Sequence, residues 1–197
     1  MKTLFRSLGV FALFALVAAT LSGCSGGSGG NTDNTPRANF TFFNVNGANT
    51  NTSNFSVRGE FDPPGDGGVD ALAGNNYSEV VVTTPGKTRI AGIYFYETNF
   101  LAAPVGTTVQ LADGGDVEFY YGVDDYDDYW VATSGTATLV SRNANLLQIR
   151  IRNATMVADT PGAAGTFSLD TTLFLNPQTT RIVSVGGTRA KGGPAKN

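Results

Sequence analysis

The 197-residue chain contains no histidine and a single cysteine. Without histidine there is no Ser-His-Asp or Cys-His catalytic arrangement, and the usual zinc, haem and iron–sulfur ligand sets are excluded with it. Charge is scarce as well: Asp, Glu, Lys and Arg make up 15% of the chain, against about a quarter in ordinary soluble domains. Between residues 37 and 185 no segment repeats apolar residues at a 3.6-residue period, so a helical core is not expected. What is present is material for a core, with 41% hydrophobic and 11% aromatic residues, which excludes disorder throughout.

The N-terminus carries the most specific pattern. Lys2 and Arg6 precede an apolar run of 14 residues from Leu8 to Leu21, shorter than the ~20 residues a spanning helix needs and suited to a helical export signal. Leu21-Ser22-Gly23-Cys24 follows. This tetrapeptide resembles the lipobox of bacterial lipoproteins: an aliphatic residue, two small residues and a cysteine. The resemblance implies cleavage before Cys24, a diacylglycerol on its thiol and acylation of the new amine, so that the lipid bilayer is a partner through Cys24. Two or three buried acyl chains, at ~0.8 kcal/mol per methylene, make a stable anchor. It further implies export and attachment to a bacterial membrane. Ser25, where enteric lipoproteins retained at the inner membrane carry aspartate, favours the outer one.

After the signal at residues 1–23, the Gly/Ser/Asn-rich stretch 24–36 has almost nothing to bury and is expected to be a disordered tether with a reach of ~20 Å. The Gly/Lys/Pro-rich end, 186–197, is expected to fray. Residues 37–185 are therefore expected to form one domain, and its dominant signals are alternation and turn residues. Strands are expected at 39–46, 55–61, 78–84, 89–97, 107–112, 117–121, 130–142, 146–158, 165–175 and 181–185, with breakers at Pro63–Gly68, Pro85-Gly86, Asp113–Asp116, Asn143–Asn145 and Pro161-Gly162. Such short connections join antiparallel neighbours. The expected fold class is all-β: a single antiparallel β-sandwich or meandering β-barrel of about 8–10 strands. In its C-terminal half, Leu147, Ile149 and Ile151 alternate with Gln148, Arg150 and Arg152, and Phe167 and Leu169 with Ser168 and Asp170. A hairpin over Pro161-Gly162 would put Asp170 near Arg150 or Arg152 on the outer face, a pair worth a few tenths of a kcal/mol.

The acids are bunched. From Glu60 to Asp128 there are 13 acidic residues and two basic ones, Lys87 and Arg89, whereas from Tyr129 onward there are 7 basic and 2 acidic. An acidic chain with so few lysines is a poor partner for nucleic acid, and none is expected. The densest acidic points are Asp124, Asp125, Asp127 and Asp128, and the loop aspartates Asp62, Asp66 and Asp70. Crowded carboxylates attract hard cations, so Asp124, Asp125, Asp127 and Asp128 form a candidate calcium site, although no EF-hand pattern is present. A solvated acidic turn that keeps a β-protein soluble is the other reading. Otherwise no cofactor is expected.

Phe119, Tyr120, Tyr121, Tyr126, Tyr129 and Trp130 form the densest aromatic stretch. Tyr120, Tyr126, Tyr129 and Trp130 are candidate ligand-binding residues, since exposed rings beside carboxylates can grip a sugar. Alternation places Phe119 and Tyr121 on one strand face and Glu118 with Tyr120 on the other, and the other reading of Trp130, as a core anchor at a strand start with tyrosines at its rim, is the stronger one. Catalysis is not expected: the remaining designs are a carboxylate pair or a Ser/Lys dyad resting on Lys87 beside a Pro-Gly turn. Two functions stay open for an envelope lipoprotein of this kind. One is a non-catalytic domain binding carbohydrate or another small molecule, with calcium assisting. The other is a structural or interaction protein that docks a protein partner through a sheet face or edge.

Overall fold

Alternating apolar and polar side chains punctuated by Gly, Pro and Asn turns yield, in the computed structural model, a sheet that curls back on itself. The model describes residues 33–48, 51–60, 67–178 and 180–182. The export signal, Cys24 and most of the tether, as well as Asp62, Asp66 and the tail 186–197, lie outside the described residues. The strands are β1 (Arg37–Asn46), β2 (Phe55–Arg58), β3 (Gly68–Ala73), β4 (Tyr77–Thr83), β5 (Arg89–Tyr96), β6 (Thr108–Gln110), β7 (Val117–Val123), β8 (Asp128–Arg142), β9 (Leu147–Ala158), β10 (Thr166–Leu175) and β11 (Arg181–Ile182). Two 3₁₀ turns, Pro85–Lys87 and Phe100–Ala102, interrupt them. The fold is all-β, as alternation predicts.

The order around the sheet is β11-β3-β4-β5-β7-β8-β9-β10-β1-β2, with β6 pairing separately on β8. From β3 to β2 every neighbour is antiparallel. Nine strands alternating in direction leave the first and last pointing the same way, so they can meet only in parallel. They do: Glu60 bridges Val69 in parallel, and the Val69 amide donates to Gly59 O at 3.0 Å. A single bridge of this kind nearly closes the barrel. At the other end of β3, β11 pairs in parallel with Leu72 and Ala73.

Strand β3 is the element that alternation did not reveal. Residues 68–73 were expected to belong to an acidic Gly/Pro-rich loop, yet Val69, Ala71 and Ala73 point into the core while Asp70 and Leu72 point out. Two alanines and an aspartate have weak strand propensity and sit directly after the Pro63–Gly68 breakers. Asp70 is thus a strand residue, its carboxylate accepting the Ala71 amide at 2.9 Å.

The interior is filled. Trp130, Tyr121, Phe95, Phe119, Leu139 and Ile149 are among side chains at or near zero exposure. Phe95 stacks on Phe100 with centroids 4.2 Å apart, and Phe40 on Phe55 at 4.5 Å. One end of the barrel is held by the loop before β2: Arg89 donates to Ser53 O at 2.8 Å and lies 4.7 Å over the Phe55 ring, and Tyr121 donates to Asn51 O at 2.6 Å. Burial pushes the Tyr121 phenol up to about 12 despite the nearby Arg89 charge, so it stays neutral. The expected outer-face pair is present. Asp170 meets Arg152 at 2.7 Å and also accepts the Asn153 amide at 2.7 Å, at a bulge where β9 carries an extra residue opposite β10.

Candidate functional site

Strand period splits the aromatic residues into two populations. Side chains at Val117, Phe119, Tyr121 and Val123 of β7, and at Trp130 and Ala132 of β8, enter the core. Those at Tyr120 and Val131 pack in a second cluster on the opposite face, with Tyr77, Ile90, Tyr94, Tyr96 and Tyr126, and with Leu72, Val81 and Tyr129 at its margin. The chain has 7 tyrosines, and all but Tyr121 stand on this outer face. Their rings run as a continuous chain: Tyr77–Tyr96 at 6.0 Å, Tyr96–Tyr94 at 6.4 Å, Tyr94–Tyr120 at 5.9 Å, Tyr120–Tyr129 at 5.8 Å and Tyr129–Tyr126 at 6.3 Å. Phenylalanine fills the interior because it has no polar atom to satisfy, while tyrosine collects where its hydroxyl can find a partner.

Carboxyl groups supply several of those partners. Glu118, fully buried, accepts Tyr96 Oη at 2.8 Å and the Gly114 amide at 2.9 Å, and Glu79 accepts the Tyr77 hydroxyl. The Tyr129 phenol is held above its usual range by burial first, and then by its hydrogen bond and the negative charge at Asp159. Two glycines make the face possible. A Cβ on Gly92 would come within 2.7 Å of Tyr94 Oη and 2.9 Å of Tyr126 Oη, and one on Gly122 within 2.4 Å of the Tyr126 ring, so only bare backbone lets these rings lie on the sheet.

Of the four candidate ligand-binding residues, the structure brings Tyr120, Tyr126 and Tyr129 together on the outer face and sets Trp130 apart on the inner one. Trp130 is 0% exposed, its Nε1 donates to Ala164 O at 3.2 Å, and its ring lies 5.6 Å from Phe167. The platform reading is corrected there: Trp130 is a core anchor and presents no face to a sugar. Tyr120 and Tyr126, at 1% and 0% exposure, are covered as well, and Tyr129 is half-buried. Tyr77, Tyr94, Tyr96 and Glu79 went unnoticed in the sequence, and Glu118 was placed beside Tyr120 on the outer face without a role. The signal was the outward alternation Ile90-Gly92-Tyr94-Tyr96, which becomes a site only once β4, β5 and β7 are in register.

The acidic turn is held by its own contacts. Among the described residues no three Asp or Glu side chains converge in a way that could hold a metal ion. Asp124, Asp125 and Tyr126 take left-handed backbone angles (φ 49°, 58° and 64°) that turn Tyr126 back over the sheet, a conformation aspartate tolerates better than most residues. Asp125 pairs with Lys87 Nζ at 3.0 Å and its amide donates to Lys87 O at 3.1 Å, so Lys87 provides the charge that a cation would otherwise supply. Asp124 and Asp127 face solvent, and Asp128 enters β8, its carboxylate against Gly162.

At the opposite end of the barrel from the Arg89 loop lies a cleft of about 150 Å³ bordered by Ala73, Leu101, Ala102, Arg142, Leu147 and Pro177. The Arg142 guanidinium is used internally, donating to Leu101 O and, at 3.0 Å, to Ala103 O. The cleft is well below the ~300–1,000 Å³ of ligand pockets. Along β1, by contrast, Phe43 and Val45 are 44% and 43% exposed. Beta2 reaches only as far as Phe40, and Asn54 Oδ1 rather than a strand accepts the Phe42 amide at 2.9 Å. The chain matches no family model, no curated protein and no solved structure.

Proposed function

We propose that this chain is a bacterial envelope lipoprotein, anchored through acylated Cys24, whose β-barrel works without catalysis by docking a protein partner. The observation that carries the reading is the half of β1 beyond β2. From Thr41 to Asn46 the strand pairs, among the described residues, with β10 on one side only, and that stretch carries two of the large apolar side chains left exposed, Phe43 and Val45. An open edge with apolar side chains on it is what strand addition requires: the backbone gives affinity and the alternate side chains give specificity. Natural proteins normally blunt such an edge with charge, proline or a bulge. Among the described residues the edge carries the irregularity between Phe43 and Asn46, where Asn44 has φ 47°, and the Asn54 side chain on the Phe42 amide. A small-molecule reading has less to rest on, because side chains fill the barrel and Trp130 is inside it.

The test is site-specific photocrosslinking in growing cells. A crosslinking side chain at position 43 or 45 is expected to trap the same envelope protein, while one at Thr138, on the outer face where β8 meets β6, traps none. Phe43→Asp combined with Val45→Asp is expected to abolish the adduct formed from a crosslinker at Thr41. Equal adducts from positions 43 and 138, or none from 43 and 45, would overturn the reading.

A further inference from the structure

The fold turns an asymmetry of charge along the chain into one across the barrel. The acid-rich half of the sequence runs through β3, β4, β5 and β7, and Asp70, Glu79 and Glu118 stand on the outer side of that wall. Across the barrel, β9, β10, β1 and β2 follow one another in the sheet. Their outward side chains include Arg37, Arg58, Arg150 and Arg152 and one carboxylate, Asp170. We infer that this arginine face docks on the anionic lipid phosphates of the bilayer that holds Cys24, an inference that rests on the lipoprotein reading above for its membrane.

Strand register gathers the arginines. Arg37 lies directly across from Arg58 on one side and from Phe174 on the other, its guanidinium 4.0 Å from the centre of the Phe174 ring. Like charges in that relation disfavour a sheet, and an anion shared between them offsets the repulsion. In the next row Arg150 stands between Thr138 and Thr172, and Asn39 and Ser56 extend the row with further uncharged hydrogen-bonding groups. Arg150 Nε has no hydrogen-bond partner among the described residues, and Asp170 is taken by Arg152 and by the Asn153 amide, each at 2.7 Å. A phosphate arriving at Arg150 therefore displaces no carboxylate, and the guanidinium fork is the group that matches its oxygens. Reach favours the bilayer as the source of those phosphates. Arg37 opens β1 directly after the 13 residues 24–36, which span at most about 45 Å. The acidic wall stands behind a filled interior, about 10 Å or more away. Screening over ~8 Å at physiological salt keeps it from cancelling the attraction on the arginine side.

Quenching from the lipid headgroups tests this on the full processed chain, coupled through the Cys24 thiol to a maleimide lipid so that anchoring does not depend on acylation in the cell. A fluorescent residue is placed at Asn39, exposed on the arginine face, or at Asn76, exposed in the turn between β3 and β4 on the other wall. Emission from position 39 is expected to be quenched several-fold more in vesicles containing phosphatidylglycerol than in phosphatidylcholine alone, and emission from position 76 equally in both. Each arginine at an anionic surface shifts the docked-to-free ratio about fivefold, so Arg37→Gln, Arg58→Gln and Arg150→Gln together are expected to lower it about a hundredfold and abolish the difference. Should the triple variant lose its native circular dichroism, raised salt on the unsubstituted chain decides, because screening releases a face held by charge. Equal quenching at position 39 in the two kinds of vesicle, or a difference that survives salt or the folded triple variant, overturns the inference. Absence of acyl mass on Cys24 in cells would remove the natural anchor and leave the vesicle result standing, so the two failures are told apart.

Discussion

Replacing Trp130 with alanine is expected to destabilise the barrel by about 3–5 kcal/mol, the range for large aromatic deletions in a core. The side chain is 0% exposed, contacts Tyr121 and Phe167 with centroids 6.0 and 5.6 Å away, and satisfies Ala164 O through Nε1. Truncation therefore removes buried apolar area, leaves a cavity where three strands meet and strands a carbonyl acceptor. Against a total stability of about 5–15 kcal/mol, that is a large fraction, and for a domain of this size the melting temperature falls by on the order of 10 °C. Trp130→Phe, which keeps most of the volume and loses the hydrogen bond, is expected to cost about 1–2 kcal/mol. Denaturant midpoints followed by circular dichroism check both. An exposed ligand platform gives the opposite pattern, with a loss below about 1 kcal/mol for the alanine variant.

Cys24→Ser is expected to abolish labelled palmitate incorporation altogether. On the lipoprotein reading the cysteine thiol is the attachment atom, and one hydroxyl in its place leaves nothing for the diacylglycerol to bond. A single acyl chain holds a protein only marginally to a bilayer, whereas two or three hold it stably, so the wild-type chain is expected to require detergent for extraction and to show acyl mass on an N-terminal Cys24. Labelling that persists in the serine variant, or a mature N-terminus elsewhere, contradicts the anchor.

Much of the barrel was legible because its signals are local. Alternation and turn residues placed ten strands, and the two-residue period correctly divided Phe119 and Tyr121 from Glu118 and Tyr120. Arg152 and Asp170 could be brought together because one short connection at Pro161-Gly162 joins their strands. The closing strand, β3, was hidden by its alanines and by the breakers before it. What governs the candidate site is not local at all. Tyr77, Tyr94 and Tyr120 become neighbours only through the β4–β5–β7 register, and the counter-charge for Asp125 comes from Lys87, 38 residues earlier. An aromatic run read without knowing which side of the sheet is inside resembles a platform.

Iodide quenching of the single tryptophan separates a packed barrel that works through its outer surfaces from an aromatic binding platform. With Trp130 sealed among Tyr121, Phe167 and Ala164, emission is expected to be blue-shifted and almost unaffected by iodide until the protein unfolds. Quenching approaching that of the denatured chain under native conditions would contradict a filled interior and return Trp130 to the surface.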